Sequence, residues 1–176
     1  MNIYLTGMMG CGKSSIGRLL AHMRNENFID LDIHIEAKCG KSISKIFEEE
    51  GESAFRQYET EGLKAISKQA DQVIATGGGI ILRDENVEIM RKNGMIVFID
   101  RPIEEIIESM SIDTRPVLGG DWRRIRTVYD SRIRRYRETS DIRFDNPYAS
   151  QNEAALALYE QLKDMSEALP QTPAKD

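Results

Sequence analysis

Two glycines, a lysine and a serine at fixed offsets open the chain's chemistry, in Gly7-Met8-Met9-Gly10-Cys11-Gly12-Lys13-Ser14. The stretch fits the phosphate-loop pattern G-x-x-x-x-G-K-[ST] at every fixed position. Glycines there let backbone N–H groups turn toward an anion without interference from a Cβ. A helix that follows such a loop presents its positive N-terminal end to the same anion. In this setting Lys13 reaches the β- and γ-phosphates of a nucleoside triphosphate, and the Ser14 hydroxyl ligates Mg²⁺.

Further residues could complete a site around such a nucleotide. Asn27-Phe28-Ile29-Asp30-Leu31-Asp32 is a short apolar run ending in two carboxylates. One of them could orient Mg²⁺ through water while the other accepts a proton from a substrate hydroxyl. The plainer reading is that Asp30 or Asp32 caps the helix that follows. Arg56, in Phe55-Arg56-Gln57-Tyr58-Glu59, is either a solvated helix cation or a planar fork for a small carboxylate. Thr76-Gly77-Gly78-Gly79 leaves a bare backbone that another molecule can approach, and substrate contact through its amides is favoured over a flexible loop. Arg115 lies in an irregular stretch and suits a mobile cover that carries positive charge to a transferring phosphoryl group. Arg132 and Tyr136 are four apart, so one helix face, and one pocket, can hold both.

Alternating strands and helices must position these residues. The strands are expected at 2–6, 27–32, 73–76, 95–100 and 141–144, read from short apolar and β-branched runs. Continuous apolar character, as in Met95 to Ile99, is what a parallel sheet covered on both faces requires. Helical spacing predicts helices from about Ser15, over Ile33 to Lys38, and across Ser42 to Lys68 with a break at Gly51. Further helices are predicted over Glu85 to Asn93, Ile103 to Met110, Trp122 to about Glu138 and Gln151 to Leu169. Gly94 is taken as a C-cap and Pro102 as a helix starter. The organisation expected is one domain over 1–169, with a substrate-binding subdomain at about 33–62, a lid at about 110–122 and a disordered tail at 170–176.

Composition narrows the classes. The chain has 176 residues, 40% apolar and 30% charged, the profile of a globular domain large enough for its own core. A formal net charge of −5 argues against a nucleic-acid binder, and the arginines at 123, 124, 126, 132, 134, 135 and 137 come without a stacking platform. No apolar run approaches the roughly 20 residues needed to cross a bilayer. The first strand begins too soon for a signal peptide, and the two cysteines, Cys11 and Cys39, are expected as reduced thiols in the cytoplasm. A monomer with no nucleic-acid or membrane partner is the expected state.

Taken in order, Gly7 to Ser15, Asp30-Leu31-Asp32, Phe55-Arg56-x-x-Glu59, Thr76-Gly77-Gly78-Gly79, Arg115-Pro116 and Arg132-x-x-x-Tyr136 resemble the shikimate kinase family across about residues 2 to 165. The resemblance implies an α/β P-loop fold of the nucleoside-monophosphate-kinase type, with a five-stranded parallel sheet in a three-layer α/β/α arrangement. It also implies transfer of the γ-phosphoryl of ATP to the 3-hydroxyl of shikimate, within aromatic amino-acid biosynthesis. By similarity, Gly10, Cys11, Gly12, Lys13, Ser14 and Ser15 hold the ATP phosphates, and Ser14 binds Mg²⁺ with Asp30 behind it. Asp32 is then the proton acceptor, Arg56 and Arg132 grip the shikimate carboxylate, and Gly77, Gly78 and Gly79 line the ring. Arg115 closes over the phosphates from the lid.

Two departures from the family's pattern concern the base. Glu108 to Thr114 lacks the additional lid arginine of many members, and the segment after Tyr136 lacks the usual Arg/Pro-containing adenine loop. A segment between Asp145 and Glu153 is expected to do that work. The rival readings are a kinase for another small hydroxy acid such as gluconate, and a non-catalytic nucleotide-binding domain on the same fold.

Overall fold

The computed structural model of the protein describes residues 1–112 and 122–168. Five strands form one sheet: β1 (Asn2–Thr6), β2 (Asn27–Asp30), β3 (Gln72–Ala75), β4 (Gly94–Asp100) and β5 (Ile142–Asp145). All pair in parallel, in the order β2-β3-β1-β4-β5. Eight helices connect or flank them among the described residues: α1 (Lys13–Arg24), α2 (Leu31–Cys39), α3 (Ile43–Glu49), α4 (Gly51–Ile66), α5 (Asp84–Asn93), α6 (Ile103–Ile112), α7 (Trp122–Thr139) and α8 (Gln151–Ala168). This is the three-layer arrangement the sequence predicts.

The central strands β1, β3 and β4 are buried along most of their length because each face has its own core. Ile3, Leu5, Val73, Val97 and Ile99 point into a cluster with Ile16 and Leu20 of α1 and Ala155 and Leu158 of α8. Tyr4, Ile74, Ile96 and Phe98 alternate to the other face, against Leu31, Ile35, Leu63, Met90 and Tyr136. In β1, β3 and β4 the period-2 alternation thus divides residues between two interiors, whereas in edge strand β5 it alternates between core and water. Tyr4 is fully buried, and its hydroxyl is satisfied by donating to Ser67 Oγ at 2.8 Å.

From β1 the chain crosses to β2 at one edge, whereas from β3 it crosses over β1 to β4. The connections therefore diverge beside β1, and ligands of open α/β sheets bind beyond the carboxyl ends of the strands at such a point. The phosphate-loop motif occupies that place, between β1 and α1.

Two local readings change. Gly94 is not a left-handed cap: its φ of 172° is extended, and it opens β4. A Cβ there would lie 2.1 Å from the Asn2 carbonyl oxygen, so glycine is needed for β4 to approach β1. The second change is where β2 ends, while the plainer reading of the paired carboxylates, a helix cap, holds for Asp30. Strand β2 stops at Asp30, whose side chain accepts from the Asp32 and Ile33 amides and caps α2. Asp32 consequently sits in the first turn of α2 instead of extending the strand.

Candidate active site

The loop curls back on its own lysine. Gly12, at φ 99°, is the N-cap of α1 and offers no side-chain oxygen, so the first-turn amides of α1 are not capped from within. Lys13 is 8% exposed, and its Nζ donates to the Gly7 and Met8 carbonyls at 2.9 and 2.7 Å, with Cys11 Sγ at 3.7 Å. Cys11 is buried, whereas Gly10 and Ser14 are exposed and Ser15 is half-buried. The arrangement is an anion-binding concavity with a fixed ammonium beside it.

Asp30 serves both of its possible roles. While Oδ1 caps α2, Oδ2 accepts from Ser14 Oγ at 2.6 Å. Hydroxyl and carboxylate oxygens are hard donors suited to Mg²⁺, which takes few protein ligands and fills the remainder with phosphate and water. Among the described residues no group of three or more His, Cys, Asp or Glu side chains is placed to hold a metal ion.

Next to Asp30, Asp32 has its carboxyl pushed up to about 6, first by burial and then by the neighbouring Asp30 charge, against the opposing pull of Lys13. Its Oδ1 is buried with no partner among the described residues. Glu59, on α4, is 0% exposed, and burial raises its pKa while Arg56 counteracts this. Glu59 Oε2 accepts from Arg56 Nη1 at 2.9 Å, and Glu52 accepts from the same guanidinium at 3.1 Å. Glu59 Oε1 also lacks a partner among the described residues.

The three glycines explain how these groups converge. A Cβ on Gly77 would lie 2.9 Å from Glu59 Oε1 and 3.0 Å from Asp32 Oδ1. On Gly79 it would lie 2.3 Å from Arg56 Nη1. The bare backbone expected to admit a substrate is thus approached by the protein's own ionic side chains. From the other side, Arg132 Nη1 donates to the Gly78 carbonyl at 3.1 Å, and the Tyr136 hydroxyl donates to the same oxygen. Tyr136 is buried and stacks on Phe98 at 5.0 Å, which fixes the α7 face that carries Arg132.

Of the predicted residues, the structure gathers Lys13, Ser14, Asp30, Asp32, Arg56, Gly77, Gly78, Gly79 and Arg132 around the carboxyl ends of β1, β2 and β3. Arg115 and most of the expected lid lie outside the described residues. Glu59 is the participant to which sequence reasoning gave no role, although its i,i+3 spacing from Arg56 was the available signal. The remaining α7 arginines are largely spoken for: Arg126 pairs with Glu104, Arg134 with Glu138 and Arg135 with Asp84.

The geometry has close counterparts. The sequence profile described as shikimate kinase matches residues 9–163. A shikimate kinase of Clostridium botulinum (strain Eklund 17B / Type B) is 46% identical over 136 residues, covering 77% of this chain and 82% of that protein. Among solved structures, a shikimate kinase from Acinetobacter baumannii in complex with shikimate superposes with a TM-score of 0.87 at 33% identity, covering 96% of this chain and 94% of the other. A shikimate kinase from Aquifex aeolicus gives 0.81 at 34% identity, with 94% and 98% covered. A phosphate loop, a raised carboxyl beside it and two arginines set about a triple glycine, found together in a chain so closely matched, place it in the shikimate kinase family, to which it belongs.

Proposed function

We propose that the residues gathered at these strand ends perform the family's reaction, transfer of the γ-phosphoryl of ATP to the 3-hydroxyl of shikimate, giving shikimate 3-phosphate and ADP. The observation that carries the assignment is the convergence of Asp32, Glu59 and Arg56 on Gly77 and Gly79, directly beside Lys13. Lys13 and the loop amides hold the phosphates, with Arg115 closing over them from a lid at about 110–122. Helices α2 to α4 form the substrate-binding subdomain, at about 33–62. Arg56 and Arg132 approach from α4 and α7 and grip the shikimate carboxylate from two directions. Glu59 holds the Arg56 fork in place for that contact. The 3-hydroxyl oxygen forms its new bond to the γ-phosphorus as the bond to the β-phosphate oxygen breaks. Its proton passes to the Asp32 carboxylate, which is mostly ionised at pH 7 and close to the range in which a general base is most effective. Mg²⁺, when held by Ser14 Oγ with Asp30 behind it, would neutralise charge on the phosphate oxygens. Most of what such a transfer asks of the protein is orientation, and two arginines on one carboxylate supply it.

The test is coupled ADP release with Mg-ATP, comparing shikimate, quinate and gluconate as acceptors. Shikimate-dependent release is expected. Release with gluconate alone would overturn the roles of Arg56 and Arg132, and the lack of any acceptor-dependent release would favour a non-catalytic nucleotide-binding domain or an untested acceptor.

A further inference from the structure

We propose that Asn146 is a positioning residue for the phosphate loop, turning the Cys11–Gly12 peptide so that the Gly12 amide faces the phosphates. The proposal rests on the assignment of that loop to ATP. Asn146 is the first residue after β5 and is 4% exposed. Its backbone N–H donates to the Asp100 carbonyl at 2.8 Å, at the end of the neighbouring strand β4. Its side-chain Nδ2 reaches 135 residues back along the chain and donates to the Cys11 carbonyl at 3.3 Å.

A trans peptide is planar, so the C=O of one residue and the N–H of the next point in opposite directions. The described chain has no cis peptide. Holding the Cys11 carbonyl toward β5 therefore aims the Gly12 N–H away from β5. That N–H has no backbone acceptor among the described residues, whereas the Cys11 N–H closes a turn onto Met8. Gly12 also sits at φ 99°, which a glycine reaches without penalty but from which it can equally swing away. A glycine peptide in this position needs an external hold, and Asn146 supplies one from a strand end that is itself fixed in the sheet. A Cβ on Gly12 would stand 3.9 Å from Asn146 Nδ2, so the amide lies against the bend. Neighbouring Arg101, just after β4, donates to the Gly10 carbonyl at 3.4 Å, which makes Asn146 one of two hooks on successive loop carbonyls.

Calorimetric binding of inorganic tripolyphosphate and of ADP, with steady-state kinetics, tests the role in wild type and in Asn146→Ala. Both ligands should weaken about tenfold in the variant, with KM for ATP rising alike, KM for shikimate moving less than twofold and the melting temperature nearly unchanged. Weakening of ADP alone would mean that Asn146 serves the base, and would overturn the proposal. So would a parallel rise of both KM values with a large melting loss, or no change at all. Should the variant fail to fold, wild-type NMR decides: the Gly12 amide proton should shift strongly downfield when tripolyphosphate is added, and a stationary resonance rejects the idea. Wild-type protein that binds neither ligand would remove the loop assignment itself, an outcome separate from an unaffected variant.

Discussion

Asp32 is where the chemistry of a single side chain can be separated from its surroundings. Asp32→Asn keeps the shape and removes the proton acceptor, so kcat should fall by about 10²–10⁴-fold while ATP binding persists. Near-normal kcat would reject the role. With a carboxyl near 6, kcat/KM for shikimate should drop about tenfold per unit as pH falls below that value. The same shift has a sign for stability. A carboxyl raised from 3.8 to about 6 is favourable to folding only while protonated, so its contribution is complete below about pH 4 and is lost as pH rises through 6. Asp32→Asn should accordingly be more stable than wild type at pH 8, by up to about 3 kcal/mol, with the gap closing below pH 4; chemical denaturation at the two pH values measures it. Gly79→Ala makes a complementary case. Its φ of −105° suits any residue, and the three atoms nearest the added methyl all belong to the movable end of Arg56. KM for shikimate should rise roughly ten- to hundredfold, the equivalent of one charge-assisted contact, with little change in melting temperature. At this scale the sequence was legible wherever residue type dictated chemistry, as with Lys13, Asp32 and Arg56. It gave no role to Glu59, although the i,i+3 spacing from Arg56 was there to read, and none to Asn146, whose partner lies 135 positions away.

Among the elements, the strands and helices followed their apolar periodicity closely, and all five expected strands form. The reading slipped where one residue answers to two elements. Asp30 both ends β2 and caps α2, so two carboxylates in an extended run became one cap and one helical residue. Gly94 has the composition of a helix stop, yet its requirement is set by Asn2 on a strand that no local pattern relates to it. That distinction can be measured. A C-cap glycine replaced by alanine costs about 1 kcal/mol, but a methyl 2.1 Å from a backbone oxygen in a central pair of strands forces β4 and β1 apart. Gly94→Ala should therefore lose about 2–3 kcal/mol and some 5–10 °C in melting temperature. A loss below 1 kcal/mol would return Gly94 to the role of a cap.

For the molecule as a whole, the two faces of the sheet divide the labour. One core, with α1 and α8, supports the phosphate loop, and the other, with α2, α4 and α5, supports the ionic cluster around the glycines. Helix α7 belongs to both, with Ile125 in the first core and Tyr136 in the second. It begins at Trp122, where the expected lid ends, and about 15 Å further along carries Arg132 to the Gly78 carbonyl. A single rigid rod joining the proposed cover of one substrate to the proposed clamp on the other has a thermodynamic consequence. If closing over ATP and gripping shikimate bias the same placement of α7, each ligand must tighten the other by an identical factor, since the two routes around a binding cycle have equal free energy. Titrating ADP with and without saturating shikimate, and shikimate with and without saturating ADP, should return equal ratios greater than one. Equal ratios of one would mean that the rod connects the two sites in space while leaving them energetically independent.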